Sequence, residues 1–195
     1  MGCTLSSESE PHNEHVEDLT IVRLNEAQKE LVRKSWRAVQ SDATKAGVIM
    51  FVRLFEIHPE CKDAFFDFRD VADLEIQASR ELRAHGLRVL SFLEKSVARL
   101  GKPEHLDELI LELGRKHYHY NSNPKYYMYL GTEFIRVIKP ILKERWSSEL
   151  ENAWMTLFLY LTQMMKVGFE EEARKQCHTA ALALETQRLG DREVL

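Results

Sequence analysis

Apolar residues return every three or four positions from Leu24 to about Phe169. That is the period of an amphipathic helix and not of a strand. Leu31, Val32, Trp36 and Val39 form the first stripe, entered at Asn25 with Gln28 three residues on, the signature of a capping box. Val48, Phe51, Val52 and Phe55 predict a second helix from about Asp42 to Ile57. It stops at His58-Pro59, because proline disfavours helical geometry in the residue before it. The aromatic, charged stretch from Cys61 to Glu75 predicts short helical turns joined by loop. Leu82, Val89, Leu93, Val97 and Leu100 then mark a long helix, closed by Gly101-Lys102-Pro103. Leu106, Ile110 and Leu113 mark a shorter one, broken by the NSNP run at 121–124. Further helices are predicted from Lys125 to about Leu142, with Pro140 near the end, and from Ser148 past Phe169, with Glu151 completing a second capping box.

No stretch alternates as a strand does and no internal repeat is present, so the fold class is all-α. Three regions follow: an acidic, aperiodic tail over 1–22, a helical domain over 23–171, and a less hydrophobic extension over 172–195, expected as frayed helix or disordered chain. Five prolines and eight glycines in 195 residues agree with long helices. A formal charge of −4 with no basic stripe argues against nucleic acid as a partner. Cys3, Cys61 and Cys177 lie far apart with no C-x-x-C pair, which fits free thiols in a reducing compartment.

The chain begins MGCTLSSESE. Gly2 with Ser6 four positions on matches the N-myristoylation pattern, and Cys3 beside it is a natural palmitoylation site. The longest apolar stretch, AWMTLFLYLTQMM, is interrupted by Thr156, Thr162 and Gln163, and is too short to cross a bilayer. Residues 1–20 hold no Lys or Arg and no apolar segment, so they do not form a secretory signal. Any membrane attachment therefore runs through lipid. One myristoyl chain binds only marginally, and Glu8, Glu10, Glu14, Glu17 and Asp18 exclude a polybasic second signal. Stable anchoring requires an acyl chain on Cys3 as well, and the expected location is the cytoplasmic face of a membrane, the plasma membrane first.

Two histidines fall on apolar faces. His85 lies three residues after Leu82 and four before Val89; His117 follows Ile110 and Leu113 by seven and four. A single such histidine reads as a core residue satisfied by a neighbour. Two on separate helices point to a metal or cofactor, for which neutral imidazole is a good ligand. His119 lies about 200° further round its helix than His117 and should face away. His12 and His15 sit in the acidic tail, and His105 at a helix start, all three read as solvated. A zinc site from His117, His119 and Cys61 or Cys177 stays open, although the local spacing of such sites is lacking.

The segments RKSWRAVQ, FVRLFEIHPECKDAFFDF, ELGRKH and ENAWMTLF resemble the globin family, most closely its neuroglobin-like branch, over about Leu24 to Glu171. With Met-Gly-Cys in front, the chain is similar to a membrane-associated class within that family. The resemblance implies a globin fold of seven to eight helices around haem b. It makes His117 the proximal iron ligand, His85 the distal histidine and Phe65 the corner phenylalanine that wedges the haem. Phe51, Val89, Tyr127, Leu130 and Phe158 would line the pocket, and Arg88 would reach a propionate. Asp67 stands where many neuroglobin-like chains carry tyrosine.

The resemblance further implies reversible bis-histidyl ligation, binding of O2, CO or NO, and redox chemistry such as nitrite reduction. No G-x-G-x-x-G stretch is present to hold a flavin or nicotinamide, so turnover needs an external reductant. The alternatives are a membrane-tethered sensor read by a protein partner, an oxygen carrier with pentacoordinate iron, and a haem-free helical adaptor.

Overall fold

The structure, a computed structural model, describes residues 20–65 and 80–193. Among them are six α-helices and no strand: α1 Glu26–Val39, α2 Ala43–Ile57, α3 Arg80–Ala98, α4 Pro103–His119, α5 Tyr127–Leu142 and α6 Ser148–Glu193. Short 3₁₀ turns precede α2, α5 and α6 and follow α2. The acylation motif at Gly2 and Cys3, and Asp67, lie outside the described residues.

The chain is tied down just ahead of α1. Arg23 donates to both carboxylate oxygens of Asp107 at 2.6 and 3.2 Å, the backbone N–H of Val22 donates to Gln163 at 2.9 Å, and Leu24 is buried. Asn25 and Gln28 then form the expected capping box, each side chain accepting from the other's backbone at 2.9 and 3.0 Å. The predicted box at α6 is corrected by one residue. The hydroxyl of Ser147, not Ser148, accepts from the N–H of Leu150 at 3.2 Å. Glu151 is drawn off by the indole of Trp146, which donates to it at 2.9 Å.

The core gathers the inner faces of all six helices. Trp36 and Trp154 lie 6.2 Å apart, and Phe134 sits 5.3 Å from both Trp154 and Phe158. Buried Trp154 donates to Ser35, whose hydroxyl in turn donates to the Leu31 carbonyl at 2.9 Å, so this polar pair is satisfied inside apolar surroundings. The last helix continues without a break to Glu193. Residues 172–193 hold no proline and several good helix formers, which lets a helix persist after its buried face has run out.

Two crossings rest on glycine. α2 meets α3 at Gly47 and Gly86, where a Cβ on either would come within 3.0–3.3 Å of the other's backbone. α4 meets α6 at Gly114 and Gly168, where a Cβ would overlap the carbonyl oxygens of Met165 and Leu111. Glycine inside a helix costs about 1 kcal/mol relative to alanine. Here that cost is offset by backbone contact that no other residue permits.

Candidate functional site

Both glycine crossings set the position of a histidine. Gly86 immediately follows His85 on α3, and its contact with Gly47 brings α3 against the turn of α2 that carries Phe51. The His85 ring is consequently held edge-on between Phe51 and Phe65, with centroids 5.0 Å from each at interplanar angles of 70° and 86°. Phe51 and Phe65 touch one another at 5.7 Å, and Phe55 completes the cluster at 5.5 Å from Phe65.

His117 lies one turn beyond Gly114 in the last turn of α4. The helix ends there in a Schellman motif. The N–H of Asn121 donates to the Tyr118 carbonyl at 3.0 Å, and that of Ser122 to the His117 carbonyl at 3.1 Å. Asn121 adopts φ 54°, a left-handed conformation that asparagine tolerates better than most residues. The NSNP break of the sequence thus fixes the backbone beside His117. Tyr127, at the start of α5, packs edge-on against the imidazole at 5.5 Å and donates its hydroxyl to the Ser122 carbonyl at 3.3 Å.

The electrostatics of the two rings differ. His117 donates from Nδ1 to the Leu113 carbonyl at 2.8 Å, which leaves Nε2 with its lone pair. Burial holds its pKa below the usual histidine range, and the Leu113 carbonyl only partly offsets that. At His85 burial is again the main cause, reinforced by Arg88 and then by His117, and the pKa falls to about 4. Both rings are neutral near pH 7. Burial likewise raises the Tyr127 phenol well above its usual range.

The remaining predicted residues divide. Val89 and Leu130 are half-buried against the core, Val89 one turn beyond His85. Phe158 is buried and fills the space that Gly131 leaves; a Cβ at 131 would come within 2.7 Å of its ring. Arg88 is exposed along its side chain but turns its guanidinium to Nδ1 of His85 at 3.3 Å. His119 is exposed and pairs with Glu172 at 3.3 Å, away from His117. Cys61 is buried with its thiol pushed up to about 11, while Cys177 is exposed on α6. No group of three metal-ligating side chains occurs among the described residues, so the zinc alternative lacks a ligand set there.

Several neighbours were not read from the sequence. Tyr120 lies 6.0 Å from His117 and is 67% exposed. Phe92, seven residues after His85 on the same face of α3, is half-buried. The interior glycines at 86 and 114, beside the two histidines, were the available signal, since a mid-helix glycine marks close backbone approach.

A helical domain that holds two neutral, inward histidines on successive helices, one against a phenylalanine cluster, is the arrangement of one known class. The globin family model matches residues 49–165, more than half of the chain, and the chain belongs to that family. Neuroglobin of Dissostichus mawsoni is 28% identical over 148 residues, covering 75% of this chain and 93% of its own. The anaerobic nitrite reductase of Gossypium hirsutum is 26% identical over 159 residues, covering 80% and 94%. Among solved structures, a hexacoordinated heme protein from an anhydrobiotic tardigrade superposes with a TM-score of 0.70 at 19% identity, over 76% of this chain and 97% of that one. The hemoglobin of the botfly Gasterophilus intestinalis gives 0.68 at 19% identity, over 75% and 99%. At that identity these structures establish the fold.

Proposed function

We propose that this globin binds haem b between His117 and His85, with both histidines able to ligate iron, and acts in gas binding and one-electron redox chemistry. The observation that carries the reading is the donor set: two neutral imidazoles on successive helices, one with its Nε2 lone pair fixed by the Leu113 carbonyl. Bound haem supplies reversible gas binding and one-electron exchange at iron. The sequence holds no C-x-x-C-H attachment motif, which favours the non-covalent cofactor. His117 is the permanent ligand and His85 the exchangeable one. Phe51 and Phe65 keep water from the His85 side, and Val89, Tyr127, Leu130 and Phe158 supply the apolar wall, with Arg88 available to a propionate. O2, CO and NO are the ligands assigned. Nitrite is a substrate of the same class: nitrite, one electron and two protons give nitric oxide and water. The electron comes from an external reductant. The name of the Gossypium hirsutum relative supports nitrite chemistry.

The visible spectrum of the reduced, ligand-free protein tests this. Sharp, split bands are expected, collapsing to one broad band in the His85→Ala variant. One broad band in both proteins would rule out ligation by His85. Failure of the chain to take up haem on reconstitution would end the haem reading altogether.

We further propose that the protein is held at the cytoplasmic face of the plasma membrane by acyl chains on Gly2 and Cys3, as in the globin X class. No helix among the described residues is long and apolar enough to cross a membrane, so attachment through them would have to be peripheral. The Gly2→Ala variant, expressed in animal cells, is expected to move from the membrane pellet to the supernatant. A variant that still pelleted would refute the acyl anchor.

A further inference from the structure

We infer that Arg88 is a positioning residue that holds His85 off the iron by occupying its Nδ1, and so sets the fraction of molecules open to an exogenous ligand. The inference rests on the haem reading above. Its basis is a contrast between the two histidines. At His117 the group facing Nδ1 is a carbonyl, which can only accept; the distance is 2.8 Å, and the ring proton is fixed on Nδ1. At His85 the group facing Nδ1 is the guanidinium of Arg88, at 3.3 Å, which can only donate. Nδ1 of the neutral ring must then accept, and its proton sits on Nε2.

The two rings are thus prepared for opposite tasks. A ring with a lone pair at Nε2 is a ready iron ligand. A ring with N–H at Nε2 cannot ligate through that atom, but it can donate a hydrogen bond to a ligand beside it. For His85 to ligate, its proton must move to Nδ1, where it would confront a second donor. The Arg88–His85 bond and the His85–iron bond therefore exclude one another. Among the described residues the rings packed against His85 are Phe51 and Phe65, neither of which offers Nδ1 an acceptor. Every molecule in which Arg88 holds His85 is open, and apparent ligand affinity scales with that open fraction. The arrangement also distinguishes the permanent from the exchangeable ligand on hydrogen-bond polarity alone.

The test replaces Arg88 in the haem-loaded protein and reads CO affinity of the ferrous form. Loss of a partly exposed hydrogen bond from a charged donor in Arg88→Leu should weaken CO binding about five-fold. Arg88→Lys keeps a donor-only group and should stay near wild type. Arg88→Glu places an acceptor at Nδ1, favours the ligating tautomer, and should weaken CO binding further than leucine does. In the CO complex, nitrogen NMR of labelled histidine should find the His85 proton on Nε2 in the wild type and on Nδ1 in Arg88→Glu. A purely structural role, or a propionate contact alone, would move haem retention without producing this order. Equal CO affinities across the three variants, with an unmoved proton, would overturn the inference while leaving the haem reading intact. A wild-type chain that takes up no haem would overturn both.

Discussion

Gly114→Ala is expected to lower stability by about 3 kcal/mol, although helix propensity alone predicts a gain of about 1 kcal/mol for that change. The sign is decided by what the new methyl group meets. At Gly114 it would overlap the carbonyl oxygen of Met165, and the Met165 backbone carbon and Cα lie within 3.0 Å as well. These are backbone atoms in the middle of α6, so no side chain can rotate away. The two helices must separate, and they would lose packing along the surface that carries Leu106, Ile110 and Leu161, all buried. For a domain of this size about 3 kcal/mol corresponds to a fall in Tm of about 6–12 °C. The reciprocal variant, Gly168→Ala, meets the Leu111 carbonyl in the same way and should behave alike. Gly47→Ala is the control. Its nearest neighbour is Cδ1 of Leu90 at 3.0 Å, a flexible side-chain end, with the Gly86 backbone at 3.1 Å, so its loss should be smaller. Thermal unfolding followed by circular dichroism ranks the three. A Gly114→Ala protein as stable as the wild type would mean that α4 and α6 do not cross at backbone contact.

That crossing also bears on function. His117 stands three residues beyond Gly114, and Nε2 is directed by a Schellman-terminated last turn whose orientation is set by α6. Haem retention should therefore fall together with stability in Gly114→Ala. In a variant that disturbs only the outer surface of α4, the two would part.

The crossing shows why some of this molecule was legible in its sequence and some was not. Helices follow from local spacing, and the Asn25–Gln28 box could be read because its two partners are three residues apart. The faces of His85 and His117 follow from the same spacing, as does the end of α4 at NSNP. What local spacing does not carry is the identity of a partner from elsewhere in the chain. Ser147 rather than Ser148 caps α6 because Trp146 competes for Glu151. The polarity of the group facing Nδ1 of His85 depends on a rotamer of Arg88, where the sequence offers only a basic residue one turn away. Glu133 gives no local sign of being buried: it stands in the run TEFIRV, and only the fold brings Arg53 across from α2 to meet it.

Glu133 is 1% exposed and sits between two arginines, Arg53 at 2.9 Å and Arg136 at 2.6 Å. The arginine side chains are 40% and 51% exposed, so the burden of burial falls on the carboxylate. Removing one arginine leaves Glu133 a charged partner, and each of Arg53→Met and Arg136→Met should cost only about 1–2 kcal/mol. Removing both strands a buried charge, and the double variant should lose about 3–5 kcal/mol, more than the sum of the two. Loss of arginine packing would also destabilise, but it would add rather than couple. The triple variant Arg53→Met/Glu133→Leu/Arg136→Met separates the two causes: with the charge gone, most of the stability should return, because apolar groups of similar volume can replace a buried ionic cluster. Urea denaturation midpoints of the wild type and the four variants provide the measurement. Additive losses, with no recovery in the triple variant, would show that the arginines act through packing and that the carboxylate is not held by them.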